Sequence, residues 1–315
     1  MTDFTTEPYL GRNAYNIPVS NSEIQTYKEC PRKWFLQYYL GRGPKEKQLI
    51  GPLPLGSRVH QTLEDFYKSD GDQDPLDIYR KLVEEDYEQV ELLGYGDDMK
   101  ADFLKEADLG QIMLKGYFEW VEEENLDCNL ETIGIEESLK VPMFDNKIIL
   151  QGKIDRKVKD REDGHVSLLD YKTAQSFTIY EKTAHMSEQL RMYALLERLL
   201  NKDEYIDGGI YRILRKVKRT RGHDFYREMT VRLTEEDLQQ YYRSVNVVLR
   251  HMIHTRDLLD AGYNHHDVVW KNFNETCSWK CPFVHVCPLM DKDSLWEMWF
   301  DNHTQVIDPY ERYKQ

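Results

Sequence analysis

The chain has no apolar run approaching the ~20 residues that a bilayer core requires, which excludes a membrane-spanning helix. Cysteine is scarce, 5 in 315 residues, too few and too unevenly spread for a disulfide scaffold. Positive charge is also short: 42 Lys+Arg stand against 56 Asp+Glu, for a net charge of -14. A protein that coats duplex DNA by bulk attraction needs the opposite balance, so any contact with nucleic acid has to come from local basic patches or metal ions. The opening residues MTDFTTEPYLGRN lack the basic start and apolar stretch of a secretory leader, so a cytoplasmic location is expected. Internal repeats and low-complexity linkers are missing too. What is present is 40% hydrophobic and 12% aromatic residues, enough for a packed core and against wholesale disorder.

The pattern predicts an α/β fold in one domain over 1–315, with a mixed central sheet flanked by helices, a helical insertion and a C-terminal extension. Ser20-Asn21-Ser22-Glu23 is a capping box opening a helix over 20–42 that carries Ile24, Tyr27, Cys30 and Trp34. Residues 44–56 read as a Gly/Pro-rich loop. A helical region follows over 57–127, its first helix marked by Val59, Leu63, Phe66 and Tyr67. The sheet core spans 131–233, with β-rich runs at 132–142, 147–158, 165–173, 207–217 and 225–233 and a helix at 184–201. Thr234 and Asp237 open a long helix to about 261, in the segment 234–262. A cysteine-bearing segment, 264–290, and an aromatic tail, 291–315, complete the chain.

Two runs, 147–158 and 165–173, flank Arg161-Glu162-Asp163-Gly164, and Asp-Gly is a turn signal. A hairpin symmetric about this turn pairs positions summing to 325, which sets Asp155 opposite Asp170. Like charges so placed repel unless something neutralises them, and a divalent cation does so. Lys172 shares the face of Asp170 because the strand period is two. An isolated Asp-x-Lys is common on solvated hairpins, so the surrounding sequence decides its meaning.

That sequence resembles a known family. Gly152-Lys153-Ile154-Asp155-Arg156, Leu169-Asp170-Tyr171-Lys172-Thr173 and Gln189-x-x-x-Tyr193 resemble the RecB-type motifs of the PD-(D/E)XK nuclease superfamily, and Gly56-Ser57-x-x-His60 its histidine motif. The resemblance covers about 22–290. It implies a divalent-metal-dependent nuclease using Mg2+ or Mn2+, with Asp155, Asp170, His60 and the Tyr171 carbonyl as metal ligands. Lys172 becomes the catalytic lysine, and Gln189 and Tyr193 orient it or touch the DNA strand. Asp170 stands where many relatives carry Glu. Taken alone, His60 and Tyr193 read as interior residues and Gln189 as a surface one; Glu136 and Glu137, on the preceding strand, lie within reach of the metal but read as solvated strand residues.

Cys277-x3-Cys281-x5-Cys287 places three cysteines within eleven residues, and Cys30, in Cys-Pro-Arg-Lys-Trp, is the leading fourth ligand for an all-cysteine site. This 1+3 layout resembles the iron–sulfur nucleases of the same superfamily: AddB, the CRISPR adaptation exonucleases and the exonuclease V type. It implies a 4Fe-4S cluster joining the chain ends, although three residues separate the first two triplet cysteines where the family usually has two. Zinc is the alternative occupant. Cys128, outside every motif, reads as a buried or idle thiol.

Arg212-Ile-Leu-Arg-Lys-Val-Lys-Arg-Thr-Arg221 carries six basic residues in ten and reads as a hairpin that guides a phosphate backbone, or as solvated surface. Trp34, Tyr38 and Tyr39 read as core packing in preference to base stacking. The leading expectation is therefore an exonuclease acting on single-stranded DNA ends, with recombination or repair proteins as possible partners and no membrane contact. The alternatives are a non-catalytic DNA-binding or recombination subunit on the same fold and a zinc-stabilised adaptor.

Overall fold

The computed structural model describes residues 16–45, 48–201, 206–218, 224–292 and 295–314. The chain forms two compact units, one of 1–47, 138–152 and 236–315, the other of 48–137 and 153–235.

In the second unit the β-rich runs form a mixed sheet. The Ile148–Asp160 and Val166–Ala174 strands are antiparallel, with Arg156 opposite Leu169 and Lys159 opposite Val166, the register that the 161–164 turn predicts. Gly164 supplies the left-handed residue of that turn at φ 78°. Val166–Ala174 then runs parallel to Ile206–Arg215, with Asp170 opposite Tyr211, and Ile206–Arg215 antiparallel to Tyr226–Arg232. A parallel pair needs a crossover, and the Glu188–Leu200 helix provides it. Leu130–Met143 also pairs with Ile148–Asp160.

Side-chain parity distributes the strand residues between the two faces. Val158, Leu169, Tyr171, Ile210 and Leu214 enter a core with Leu55, Val59 and Leu63 of the Pro52–Lys68 helix and Met113, Leu114 and Tyr117 of the Asp97–Glu123 helix. Lys157, of opposite parity to Val158, donates to Glu197 on the crossover helix at 3.1 Å. Both partners are buried, so the pair satisfies two charges that otherwise could not enter the interior.

Three helix boundaries differ from the expectations. The loop predicted over 44–56 turns helical at Pro52, because prolines are tolerated in a first turn where no N–H is needed. The crossover helix starts at Glu188, capped by Ser187, and Thr178–Thr183 is a separate short helix, so Met186 lies outside it and exposed.

The third concerns the first unit. The expected continuous helix from Ser20 stops at Glu29, Cys30 is extended at φ -161°, and Pro31 starts a new turn. Proline disfavours helical geometry at the residue before it, which accounts for the break. Ser20 does cap Asn21–Glu29, accepting from the Glu23 amide. Trp34 and Tyr38 are core residues, and the Trp34 indole donates to the buried Glu23 at 2.8 Å. The Ile17–Ser20 strand runs parallel to residues 148–151, and Arg42–Pro44 pairs antiparallel with Thr304–Val306. No helix among the described residues is long and apolar enough to cross a membrane.

Candidate active site and cysteine cavity

The hairpin ladder ends at Arg156 and Leu169. One residue further on, the Asp155 carboxylate takes the Tyr171 amide, donor to Oδ2 at 2.9 Å, so it fills the place of a ladder partner where the strands part. His60 Nδ1 lies 3.4 Å from the same oxygen. Gly56 lets the histidine helix come this close: a Cβ there would stand 3.0 Å from Thr173 Oγ1.

On the neighbouring strand, Lys172 Nζ lies 2.5 Å from Asp170 Oδ2 and donates to Gln189 Oε1 at 2.9 Å. Gln189 Nε2 in turn donates to Asp170 Oδ1 at 3.0 Å and to the Tyr193 hydroxyl at 2.8 Å. A single amide thus fixes both the lysine and the carboxylate, with Tyr193 one turn along the same helix as its brace. The Tyr211 ring closes this side, 5.7 Å from Lys172 Nζ and hydrogen-bonded through its hydroxyl to Ser187.

Electrostatics separate the two aspartates. Burial, reinforced by the charge of Asp155 and opposed by Lys172, pushes the Asp170 carboxyl up to about 6. Burial acts on Asp155 too, but His60, the Lys172 charge and the Tyr171 amide outweigh it and hold this carboxyl below its ordinary value. For Lys172 the two carboxylates outweigh burial and hold the ammonium above its ordinary range. The lysine is therefore charged at neutral pH.

His60, Asp155, Asp170, Tyr171, Lys172, Gln189 and Tyr193 all belong to the second unit. Their carboxylate, imidazole and carbonyl groups are the donor set that hard divalent cations take. Asp170 Oδ2 is buried and makes no hydrogen bond, with only the Lys172 ammonium beside it. This orphaned acceptor fits a cation. The fit is one of donor chemistry: among the described residues, no three His, Cys, Asp or Glu side chains close round a single ion.

Glu136, read from sequence as solvated, is turned inward. It lines a small cavity with His60, Glu64, Tyr67, Asp155 and Tyr171, and pairs with Lys153 at 2.5 Å. Its φ of 52° is rare for a residue with a Cβ, and nothing in the sequence marks it. Lys153 carried the available signal, since it shares the Asp155 face and a buried lysine demands a partner. Also unforeseen is the role of Arg156, which stacks 3.9 Å over the Tyr67 ring and joins Arg212 and the Tyr67 hydroxyl on Asp127. This buried network lies behind Tyr171 and anchors the hairpin to the helical layer.

Arg212 is accordingly removed from the expected basic hairpin. It is fully buried, with Asp127 and Glu228 as partners at 2.8 Å each. Arg215 and Lys216 bond to backbone carbonyls, and only Lys218 among the described basic residues of this stretch is strongly exposed. Arg219 and Arg221 lie outside the described residues.

In the first unit Cys30, Cys277, Cys281 and Cys287 line one cavity of about 390 Å³ with Leu36 and Phe283. The Asn272 amide donates to Cys30 Sγ at 3.4 Å, and Arg32 Nη1 to Cys287 Sγ at 3.6 Å. Burial pushes the Cys281 thiol up, with Cys30 and Cys277 adding to it. Four sulfurs on one enclosed wall suit a thiolate-ligated group in number, enclosure and chemistry, although no three of them gather round a single point. Cys128 is exposed and stands apart, which corrects the reading of it as buried.

The crystal structure of a "putative exonuclease" from Eubacterium rectale aligns over 84% of this chain and 93% of its own length, with 12% identity and a TM-score of 0.45. The family model of the PD-(D/E)XK nuclease superfamily matches residues 18–288. With that match across most of its length, the chain belongs to the PD-(D/E)XK nuclease superfamily.

Proposed function

We propose that this nuclease is a divalent-metal-dependent exonuclease of the RecB-like iron–sulfur type, hydrolysing phosphodiester bonds from single-stranded DNA ends. The observation that carries the reading is the position of Lys172, an ammonium held between Asp170 and Gln189 beside a second buried carboxylate, Asp155. A bound Mg2+ or Mn2+, held by Asp155, Asp170, His60 and the Tyr171 carbonyl, supplies Lewis-acid polarisation of the phosphate and a more acidic water.

The chain's own residues supply the rest. Lys172 keeps its proton at Nζ, so it acts as a fixed positive charge for the oxygen on which negative charge develops, and not as a proton acceptor. Gln189 prevents that charge from swinging away, and Tyr193 prevents Gln189 from doing so. Asp155 stays ionised through its amide and histidine contacts. The four cysteines hold a 4Fe-4S cluster whose role is to join Cys30 to the C-terminal triplet, and the natural setting is DNA-end processing in recombination or repair.

The test is incubation of the purified chain with end-labelled single-stranded DNA in Mg2+ or Mn2+, with EDTA as control. Metal-dependent shortening from one end supports the reading. Internal nicking without end dependence removes the exonuclease assignment, and binding without cleavage returns the chain to a non-catalytic DNA-binding role.

A further inference from the structure

Arg32 is the arginine of the Cys-Pro-Arg-Lys-Trp segment, two residues after Cys30, and only 6% of its surface is exposed. Arginine enters an interior only when its donors are matched. Nη1 is well supplied: it donates to Asp291 Oδ1 at 2.5 Å, to the Cys287 carbonyl at 3.5 Å and to Cys287 Sγ at 3.6 Å. Asp291 is itself held from its other oxygen by Lys271. Nε is different. It is fully buried and has no hydrogen-bond partner, and it is Nη1 that faces a cavity sulfur.

The charge of the wall has the same sense. Arg32, Lys33 and Lys271 set against Asp291 give three positive groups to one negative, a net +2. Four thiolates on a 4Fe-4S core carry net negative charge, which increases by one on reduction.

We propose that Arg32 is a hydrogen-bond donor to the iron–sulfur group through Nη1 on the Cys287 ligand sulfur, and that it sets the cluster's reduction potential and its resistance to air. The proposal rests on the iron–sulfur reading above and specifies which residue tunes that group. N–H donors and a nearby positive charge stabilise the reduced, more negative state, so they raise the potential and withdraw electron density from the sulfurs that oxidants attack. The Asn272 amide on Cys30 Sγ does the same at the opposite end of the chain, but a backbone donor is not changed by substitution.

The test uses the full chain purified anaerobically as wild type, Arg32→Gln, Arg32→Lys and Asp291→Asn. Iron and sulfide per chain, the midpoint potential from an EPR-monitored titration, and the rate of bleaching in air are measured for each. Arg32→Gln should shift the potential to more negative values and bleach several-fold faster, and Arg32→Lys, which keeps the charge but loses the guanidinium donor to Cys287 Sγ, should lie between it and wild type. Asp291→Asn removes a negative charge while leaving the Nη1 donor, so its potential should shift the other way. If Arg32→Gln fails to retain iron, the shift in Arg32→Lys decides. Loaded Arg32 variants with wild-type potential and bleaching would overturn the proposal while leaving the cluster in place, as would shifts of the same sign in Arg32→Gln and Asp291→Asn. Wild-type protein without iron and sulfide would overturn the cluster reading, and this proposal with it.

Discussion

The aspartate site and the cysteine cavity both gather groups of metal-binding chemistry, yet they differ in how those groups are matched within the chain. In the aspartate site every charge has an internal counterpart: Lys172 for Asp170, His60 and the Tyr171 amide for Asp155, Lys153 for Glu136. A crossover helix and a hairpin hold these groups through Gln189 and the Lys157–Glu197 pair. The cysteine cavity has four thiols on a partly apolar wall, two of them receiving N–H donors and three of them on a segment with only short helical turns. A site with its own counterions folds first and binds afterwards, whereas in a site of unmatched ligands the binding energy becomes folding energy.

That contrast is tested most strongly by removing one ligand from each. Asp155→Asn and Asp170→Asn should each lower single-stranded DNA hydrolysis by roughly 10³-fold or more, since groups acting together on one transition state fail together. Near-wild-type turnover in either would detach the hairpin from catalysis. Replacing Cys30, Cys277, Cys281 or Cys287 by Ser should instead act on stability, on the order of several kcal/mol, and expose both chain ends to protease. Cys128→Ala should stay within about 0.5 kcal/mol of wild type, as exposed sites do. Limited proteolysis and thermal melts of the five variants separate the four cavity cysteines from Cys128, and a fully stable Cys30→Ser protein would contradict a joint between the chain ends.

Gln189→Ala should have an intermediate effect, a loss of about 10–100-fold in kcat with DNA binding retained, because the amide orients Lys172 and Asp170 without being replaced by either. Equal losses in kcat and binding would instead make Gln189 a DNA contact.

The smallest effect sharpens the electrostatic half of the comparison. Asp170 titrates at about 6 when folded and near its ordinary 3.8 when unfolded, so the folded state binds the proton more tightly. Its ionisation therefore costs stability above about pH 6, and the cost fades as pH falls through 6 towards 3.8. Asp170→Asn should raise stability in EDTA at pH 7–8, by up to about 2–3 kcal/mol, seen as a higher melting temperature, and the gain should vanish near pH 4. Asp155 has the opposite sign. Its folded value is depressed, so its contribution is present above the ordinary carboxylate value and lost on acidification, and Asp155→Asn should destabilise at neutral pH. Melts of the two variants across pH 4–8 check both signs.

Local rules made much of the active-site hairpin legible. Asp163-Gly164 locates the turn, the turn sets the register, and a period of two puts Lys172 on the Asp170 face. The break at Cys30 was also available, in the proline that follows it. The fate of Arg212 was not: a run of basic residues looks solvated until Asp127, 85 residues earlier in the chain, is brought beneath it by the sheet and the helical layer. Glu136 escaped for a related reason, since its inward turn depends on a left-handed backbone that only the assembled strands impose.

The central claim is that the charge of Lys172, fixed by Asp170 and Gln189, drives phosphodiester hydrolysis. The most direct measurement is single-turnover cleavage of end-labelled single-stranded DNA in Mg2+ by wild type and Lys172→Ala, at protein concentrations that saturate binding for both. Wild type should shorten the strand while Lys172→Ala holds it uncut, with melting temperatures of the two proteins within a few degrees. Cleavage by Lys172→Ala at the wild-type rate would contradict the account.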